Sequence, residues 1–137
     1  MRFRDLILTD QSAEASSDVQ SGISDDGNDQ AHLYAEQLAV QLRKGFLTYC
    51  VLKLCSSKPK YANDLLAELK KAEMLVVEGT MYPLLTRMHK DGLLVYEWKE
   101  SEQGPPRKYY KITKHGSQVL RIVDKKIAEL TRTIGKL

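Results

Sequence analysis

The sequence predicts a mainly α-helical domain of the α+β class, with one small two-stranded sheet and a further helix at the C-terminal end. Two observations lead to this expectation. Apolar residues recur at steps of three and four before residue 92 and again after residue 113, which is helical spacing. Between these stretches, two short aromatic and β-branched runs flank a Gly-Pro-Pro turn, which indicates a hairpin. The length of 137 residues fits one domain with an appendage.

Charge is distributed unevenly along the chain. Residues 1–40 carry two arginines against eight acidic residues, a net charge of −6, whereas residues 41–137 carry nineteen Lys or Arg against ten acidic residues, a net charge of +9. A basic folded part behind an acidic segment favours a polyanionic partner. The alternative is that many of these lysines only lie on solvent-exposed faces of helices. Charge alone does not decide between a polyanionic partner and this alternative.

Residues 1–30 predict a flexible acidic leader, because Ser, Asp, Gln and Gly dominate and large apolar residues are nearly missing from residues 9–30. Such a leader could mimic DNA weakly, but an inert tail is the simpler expectation. The N-terminus lacks an apolar signal region, and no run is long enough to span a membrane. Cys50 and Cys55 are expected to be core residues in a reducing cytoplasm.

Two helices are predicted first. One begins at Ala31 and carries apolar residues at helical spacing until Ser56 to Pro59 end it. Gly45 within it is a tolerated weak point, a place of close packing or a break between two helical pieces. The stretch YANDLLAELKKA predicts a short second helix, whose inward residues are Leu65, Leu66 and Leu69.

The third helix has an apolar inner face and a polar outer face. The inner face consists of Met81, Leu84, Leu85 and Met88. The helix begins near Glu78 or is capped by Thr80, and Gly92 is suited to end it in a left-handed conformation. The residues left outside include Thr80, Tyr82, Arg87 and Lys90.

The hairpin consists of LLVYEW and RKYYKI, joined by KESEQGPP. Gly104 supplies an unusual φ and Pro105-Pro106 supply stiffness, so the loop projects as a wing. Arg107 and Lys108 at its base supply cations for phosphate. The strand aromatics are expected to pack the hairpin against the helices, and these are Tyr96, Trp98, Tyr109 and Tyr110.

Three helices followed by a hairpin form a winged helix-turn-helix, predicted here for residues 31–113. This shape suits B-form DNA, because a helix fits the major groove and a basic hairpin lies along the backbone or in the minor groove.

The last helix, residues 114–137, opens at Thr113, a good N-cap. Apolar residues then alternate at steps of three and four, as in a coiled-coil seam, at Leu120, Val123, Ile127, Leu130, Ile134 and Leu137. Packing on its own domain is the alternative, but the narrow stripe favours homodimerisation. The first helix, with Leu33, Leu38 and Leu42, is a second contributor.

Two long motifs resemble the PadR family of bacterial transcriptional regulators. EGTMYPLLTRMHKDGLL is similar to the family's EGTLYPLLxRLEKxGLL, and WKESEQGPPRKYYKIT resembles its wing. LRKGFLTYCVLKLC resembles the family's first helix, so the likeness covers roughly residues 40–116. It implies a homodimeric winged-helix repressor, often responsive to a small phenolic or drug-like molecule. The single C-terminal helix places the chain with the family's short-tailed members.

The resemblance also implies which residues face DNA. With the outward residues above, the predicted DNA-contacting set is Tyr61, Glu78, Thr80, Tyr82, Arg87, Lys90, Gly104, Pro105, Arg107 and Lys108. Glu78 is the exception in charge, and it either caps the helix start or accepts a hydrogen bond from cytosine. The chain departs from the family in three ways: only Tyr61 remains of a tyrosine-glycine-tyrosine motif, His89 replaces a glutamate, and the leader is long. The last helix has no tryptophan, so drug stacking of the kind known in the family is not implied.

Nothing in the sequence predicts an enzyme, a cofactor or a metal site, because the three histidines are scattered and no phosphate-binding glycine loop is present. We therefore expect a DNA-binding regulator: a cytoplasmic homodimeric repressor on an inverted-repeat promoter operator, with a small aromatic effector. The alternatives are a winged-helix module for protein contacts, with the leader as docking segment, and a regulator controlled by a protein partner.

Overall fold

The computed structural model describes residues 26–137 as four helices and a hairpin. In chain order these are α1 Asp26–Ser57, α2 Ala62–Lys71, α3 Glu78–Lys90, β1 Leu94–Lys99, β2 Arg107–Ile112 and α4 Lys114–Lys136. The two strands form one antiparallel sheet. This is a winged helix-turn-helix followed by one long helix, so the predicted fold class is confirmed.

Helix α1 is longer than the sequence predicted. It begins at Asp26 and not at Ala31, so residues 26–30, assigned above to the leader, are helical. The rest of the predicted leader, residues 1–25, lies outside the described residues. The early start was missed because these polar residues carry no apolar periodicity. The helix also continues through Gly45, so the alternative of a break there was wrong.

The core lies where α1, α2 and α3 meet the first residue of β1. Its most deeply buried side chains are Val51, Leu52, Cys55, Leu65, Met81, Leu85, Met88 and Leu94. The predicted inner face of α3 is therefore confirmed, whereas Leu66 on α2 is only partly buried. Burial raises the pKa of the Cys50 thiol to about 11 and that of Cys55 to about 12, so both stay protonated at neutral pH.

Both ends of α3 have clear backbone causes. The N–H groups of Thr80 and Met81 already donate to the carbonyl of Val77, so the helix starts at Glu78 and the alternative of a Thr80 cap was wrong. At the other end, Gly92 has a φ of 78°, as expected of a left-handed cap. The Leu93 N–H then donates to the Met88 carbonyl at 2.9 Å, which closes the last turn.

A buried lysine attaches the hairpin to α2, a feature that the sequence did not predict. The backbone of Lys60 exchanges two hydrogen bonds with Tyr110, at 3.0 and 2.8 Å, along the outer edge of β2. Lys60 is only 3% exposed, and its ammonium lies 2.9 Å from the carboxylate of Glu68. The wing is therefore fixed to the start of α2 by backbone bonds and an ion pair.

Helix α4 starts against the hairpin and then leaves the domain. Thr113 caps it, as predicted, by accepting a hydrogen bond from the Gly116 N–H at 2.9 Å. Gly116 has to be glycine, since an added Cβ would lie 2.3 Å from the Leu93 carbonyl oxygen. Leu120 is buried, but Leu130 and Ile134 further along are exposed. The first half of α4 thus packs on its own domain and the second half presents its apolar residues to solvent.

Candidate nucleic-acid interface

Helix α3 presents a broad exposed face on the side away from the core. Five of the predicted contact residues lie on α3, and all five are exposed: Glu78, Thr80, Tyr82, Arg87 and Lys90. The centre of the face also contains Gly79, Pro83 and Thr86, which the sequence analysis did not select. Helical periodicity puts these three residues on the face opposite the buried ones, so the sequence already indicated that they would be exposed. A cleft lies along each flank of this face.

The larger cleft lies between α3 and the wing and has a volume of about 420 Å³. Five of the ten predicted contact residues line it, namely Tyr61, Tyr82, Pro105, Arg107 and Lys108. Thr86 and Trp98 are among the other residues that line it. The fold therefore gathers residues from the N-cap of α2, from α3 and from the wing around one open cleft, although they are far apart in the sequence.

The wing cations in this cleft rest on aromatic rings. The guanidinium of Arg107 lies 4.6 Å from the centre of the Tyr61 ring, and Tyr61 in turn packs against Tyr109. The ammonium of Lys108 lies 4.5 Å from the ring of Tyr96 and 5.2 Å from that of Trp98. These cation–π contacts restrict two flexible side chains before any ligand arrives, so less rotamer entropy is lost on binding an anion.

The strand aromatics divide between packing and exposure. Tyr110 is buried, as predicted, and desolvation raises the pKa of its hydroxyl. Tyr96 is partly exposed but packs on Tyr110 and on His89. Trp98 is 61% exposed, so the prediction that it packs against the helices was wrong. Its ring faces the open cleft instead of a helix.

His89 holds the wing at a defined angle to α3. Its Nδ1–H donates to the backbone carbonyl of Leu94 at 3.0 Å, and its ring lies 4.8 Å from that of Tyr96. A glutamate, which the family motif carries at this position, has no N–H to donate to that carbonyl. The departure noted in the sequence thus has a structural role at the base of the wing.

A second, smaller cleft of about 270 Å³ follows the other flank of α3, between this helix and α1. It contains two predicted contact residues, Thr80 and Arg87, together with Lys44 of α1. The three remaining predicted residues line neither cleft. Glu78 and Lys90 occupy the two ends of α3, and Gly104 adopts a φ of 132° in the wing loop, as expected for an unusual turn.

Two further kinds of feature are missing from the described residues, a metal-binding cluster and a membrane-spanning helix. Within residues 26–137 no three His, Cys, Asp or Glu side chains are close enough together to hold a metal ion. None of the helices in this part of the chain combines the length and apolarity needed to cross a membrane.

Comparison with known proteins identifies the family. The model of the transcriptional regulator PadR-like family matches residues 51–122, from the second half of α1 into α4. The chain belongs to the PadR-like family. Members of this family are DNA-binding transcriptional regulators and not enzymes.

Solved structures of PadR-like proteins agree over nearly their whole length. A PadR-like transcription factor from Bacteroides fragilis is 49% identical, with a TM-score of 0.65 over 73% of this chain and 97% of its own. A PadR family regulator from Eggerthella lenta is 33% identical, with a TM-score of 0.66 over 75% and 90%. A PadR-like regulator from Bacillus cereus is 36% identical, with a TM-score of 0.63 over 70% and 94%. Among curated proteins, no sequence matches this chain.

Proposed function

We propose that this DNA-binding regulator is a homodimeric repressor that recognises an inverted repeat in a promoter. One observation carries the proposal. The wing cations and the exposed face of α3 share a single open cleft, with Arg107 and Lys108 already held on aromatic rings. A helix beside a basic hairpin can enter the major groove while the hairpin follows the phosphate backbone.

In this proposal the ten predicted residues divide by role. The wing residues Arg107 and Lys108 bind phosphate, with Gly104 and Pro105 shaping the loop that brings them close. On α3, Thr80, Tyr82 and Arg87 reach base edges, and Lys90 binds phosphate at the far end. The ring of Tyr61 orients Arg107 through the cation–π contact with its guanidinium. Glu78 is the first residue of α3. In this proposal its carboxylate either interacts favourably with the positive end of the helix dipole or accepts a hydrogen bond from cytosine.

Dimerisation would supply the two-fold symmetry that an inverted repeat requires. The apolar side chains of α4 are the main candidates, and exposed leucines of α1 such as Leu38 and Leu42 add to them. Two recognition helices related by this symmetry would enter successive major grooves, about 10.5 bp or a multiple of that apart.

Bound at a promoter in the cytoplasm, such a dimer would block transcription. A small aromatic effector between the domain and α4 would change the distance between the wings.

A gel-shift series across fragments from upstream of the chain's own gene, with random DNA as competitor, tests the proposal. We expect one fragment with an inverted repeat to be retained in large excess of random competitor. Its affinity should fall steeply with salt, because bound cations displace counterions from phosphate. Adding candidate aromatic compounds to the same lanes tests the effector. Retention of every fragment equally, or of none, would contradict the proposal and favour a protein partner.

A further inference from the structure

The smaller cleft places cations on the side of α3 that faces away from the wing. Lys44 of α1 and Arg87 of α3 line it, and Thr80 contributes a hydroxyl. Lys44 and Arg87 are both exposed. Within residues 26–137, neither side chain is among the ion pairs, so their charges are available to a ligand.

The floor of this cleft is apolar and the rim is basic. Leu47 and Leu84 form the floor, against which the aliphatic stems of Lys44 and Arg87 can lie while their charged ends reach outwards. A cleft of this kind suits an extended polyanion that passes over it better than a small ion enclosed within it. In the proposed function α3 enters DNA, so the extended polyanion next to this cleft would be the sugar-phosphate backbone.

Cations therefore flank α3 on both sides. Arg107 and Lys108 stand on the wing side, and Lys44 and Arg87 stand on the α1 side. A helix lying in a major groove about 12 Å wide has one DNA strand along each flank. Cations on one flank only would neutralise one of these strands and leave the other without a partner.

We infer that Lys44 and Arg87 hold the phosphate backbone of the second DNA strand, opposite the strand that the wing contacts. The inference rests on the proposed function and adds α1 to the DNA-binding surface. It assigns Lys44, which the sequence motifs did not single out, to phosphate binding. It also moves Arg87 from base reading to backbone contact, so sequence preference would come from the centre of the face and the wing flank.

Salt dependence provides the first test. The variant Lys44→Gln keeps a polar side chain that is one atom shorter and removes its charge. For a dimer that loses two phosphate contacts, the slope of log K against log salt should become shallower by about 1.8, and binding at 0.1 M salt should weaken roughly tenfold or more. Lys125→Gln is the matched control, because Lys125 is exposed on α4 and α4 lines neither cleft. Circular dichroism checks that both variants are folded.

Neutral methylphosphonate groups, placed one at a time in the operator, provide the second test. With the unaltered protein, interference should occur on both strands that border each major groove. Lys44→Gln should abolish interference at individual phosphates of one strand only, and Arg107→Ala should abolish it at phosphates of the other strand, while Arg87 and Lys108 keep their own contacts. The inference fails if the unaltered protein shows interference on one strand alone, or if both variants lose the same phosphates. Specific binding would survive either result, whereas failure of the proposed function would show as no preference over random DNA.

Discussion

At the scale of the residue, the wing depends on aromatic rings beneath its cations. Arg107 lies over Tyr61, and Lys108 lies over Tyr96 and beside Trp98. A ring holds a cation without neutralising it, unlike a carboxylate, which would have to be displaced before phosphate could bind. Aromatic support thus orders the cationic side chain and, in the proposed function, leaves its full charge available to DNA phosphate.

Replacing Tyr61 with alanine should weaken DNA binding by roughly twofold to fivefold per protomer, because an exposed cation–π contact is worth about 0.5–1 kcal/mol. The salt slope should stay nearly unchanged, because Arg107 keeps its charge. Tyr61→Phe is the control and should bind nearly as the unaltered protein does, since the ring remains. Fluorescence anisotropy on a labelled operator at several salt concentrations measures both quantities. If Tyr61→Phe loses as much affinity as Tyr61→Ala, the hydroxyl and not the ring is what matters.

Single residues also show where sequence reasoning stops. The conformations of Gly92 and Gly104 and the cap at Thr113 were predicted, because each follows from local backbone chemistry. The burial of Lys60 and the exposure of Trp98 were not. Both depend on which distant segment lies opposite, and no periodicity carries that information. The same limit explains why Lys44 was not selected, since it faces α3 only once the domain has folded.

At the scale of the element, apolar periodicity was sufficient for α3, for the hairpin and for the first part of α4. It failed at the start of α1, where polar residues continue the helix without an apolar face. It also could not reveal how α4 is held against α1. The hydroxyl of Tyr49 and the ammonium of Lys53 both donate to the carboxylate of Asp124, across more than seventy residues of sequence.

This link between α1 and α4 should depend on pH. The hydrogen bond from Tyr49, and after it that from Lys53, lowers the pKa of the Asp124 carboxyl. A carboxyl whose pKa is lowered by folding stabilises the fold above its unfolded pKa of about 3.9, and that stability is lost as the pH falls through the lower folded value. The link is therefore complete at neutral pH and disappears in acid.

The variant Asp124→Asn should have a lower Tm than the unaltered protein at pH 7, and the difference should shrink as the pH falls below about 4. Tyr49→Phe removes the main cause of the shift, so the pKa of Asp124 should return towards its ordinary value. Thermal melts across the pH range measure the first effect, and NMR titration of the Asp124 carboxyl carbon measures the second. Melting curves that stay equally far apart at every pH would show that the carboxylate charge adds nothing.

At the scale of the whole molecule, the fold of residues 26–137 leaves apolar surface exposed in one protomer. Leu130 and Ile134, in the predicted seam of α4, are 58% and 56% exposed. Leu33, Leu38 and Leu42 on α1 are exposed as well. The sequence offered two explanations for the seam, and the first half of α4 follows one of them by packing on its own domain. For the second half, a partner copy remains the explanation that its exposed apolar residues favour.

The variant Ile134→Asp should shift the protein from dimer to monomer in sedimentation velocity, because it would place a charge in an apolar interface. The Tm of the monomer should change little, since Ile134 is exposed in the protomer. Ala128→Asp is the matched control: it puts the same charge on the same helix, about a third of a turn away from the seam, and should remain dimeric.

The two variants also connect assembly to DNA binding. A monomer presents one recognition helix and covers one half-site, so Ile134→Asp should lose most of its preference for the intact inverted repeat over a single half-site. Ala128→Asp should keep that preference. If Ile134→Asp becomes monomeric and still prefers the intact repeat, the two protomers must associate on DNA through α1. If it remains a dimer, the seam is not the interface, and the exposed leucines of α1 become the surface to test next.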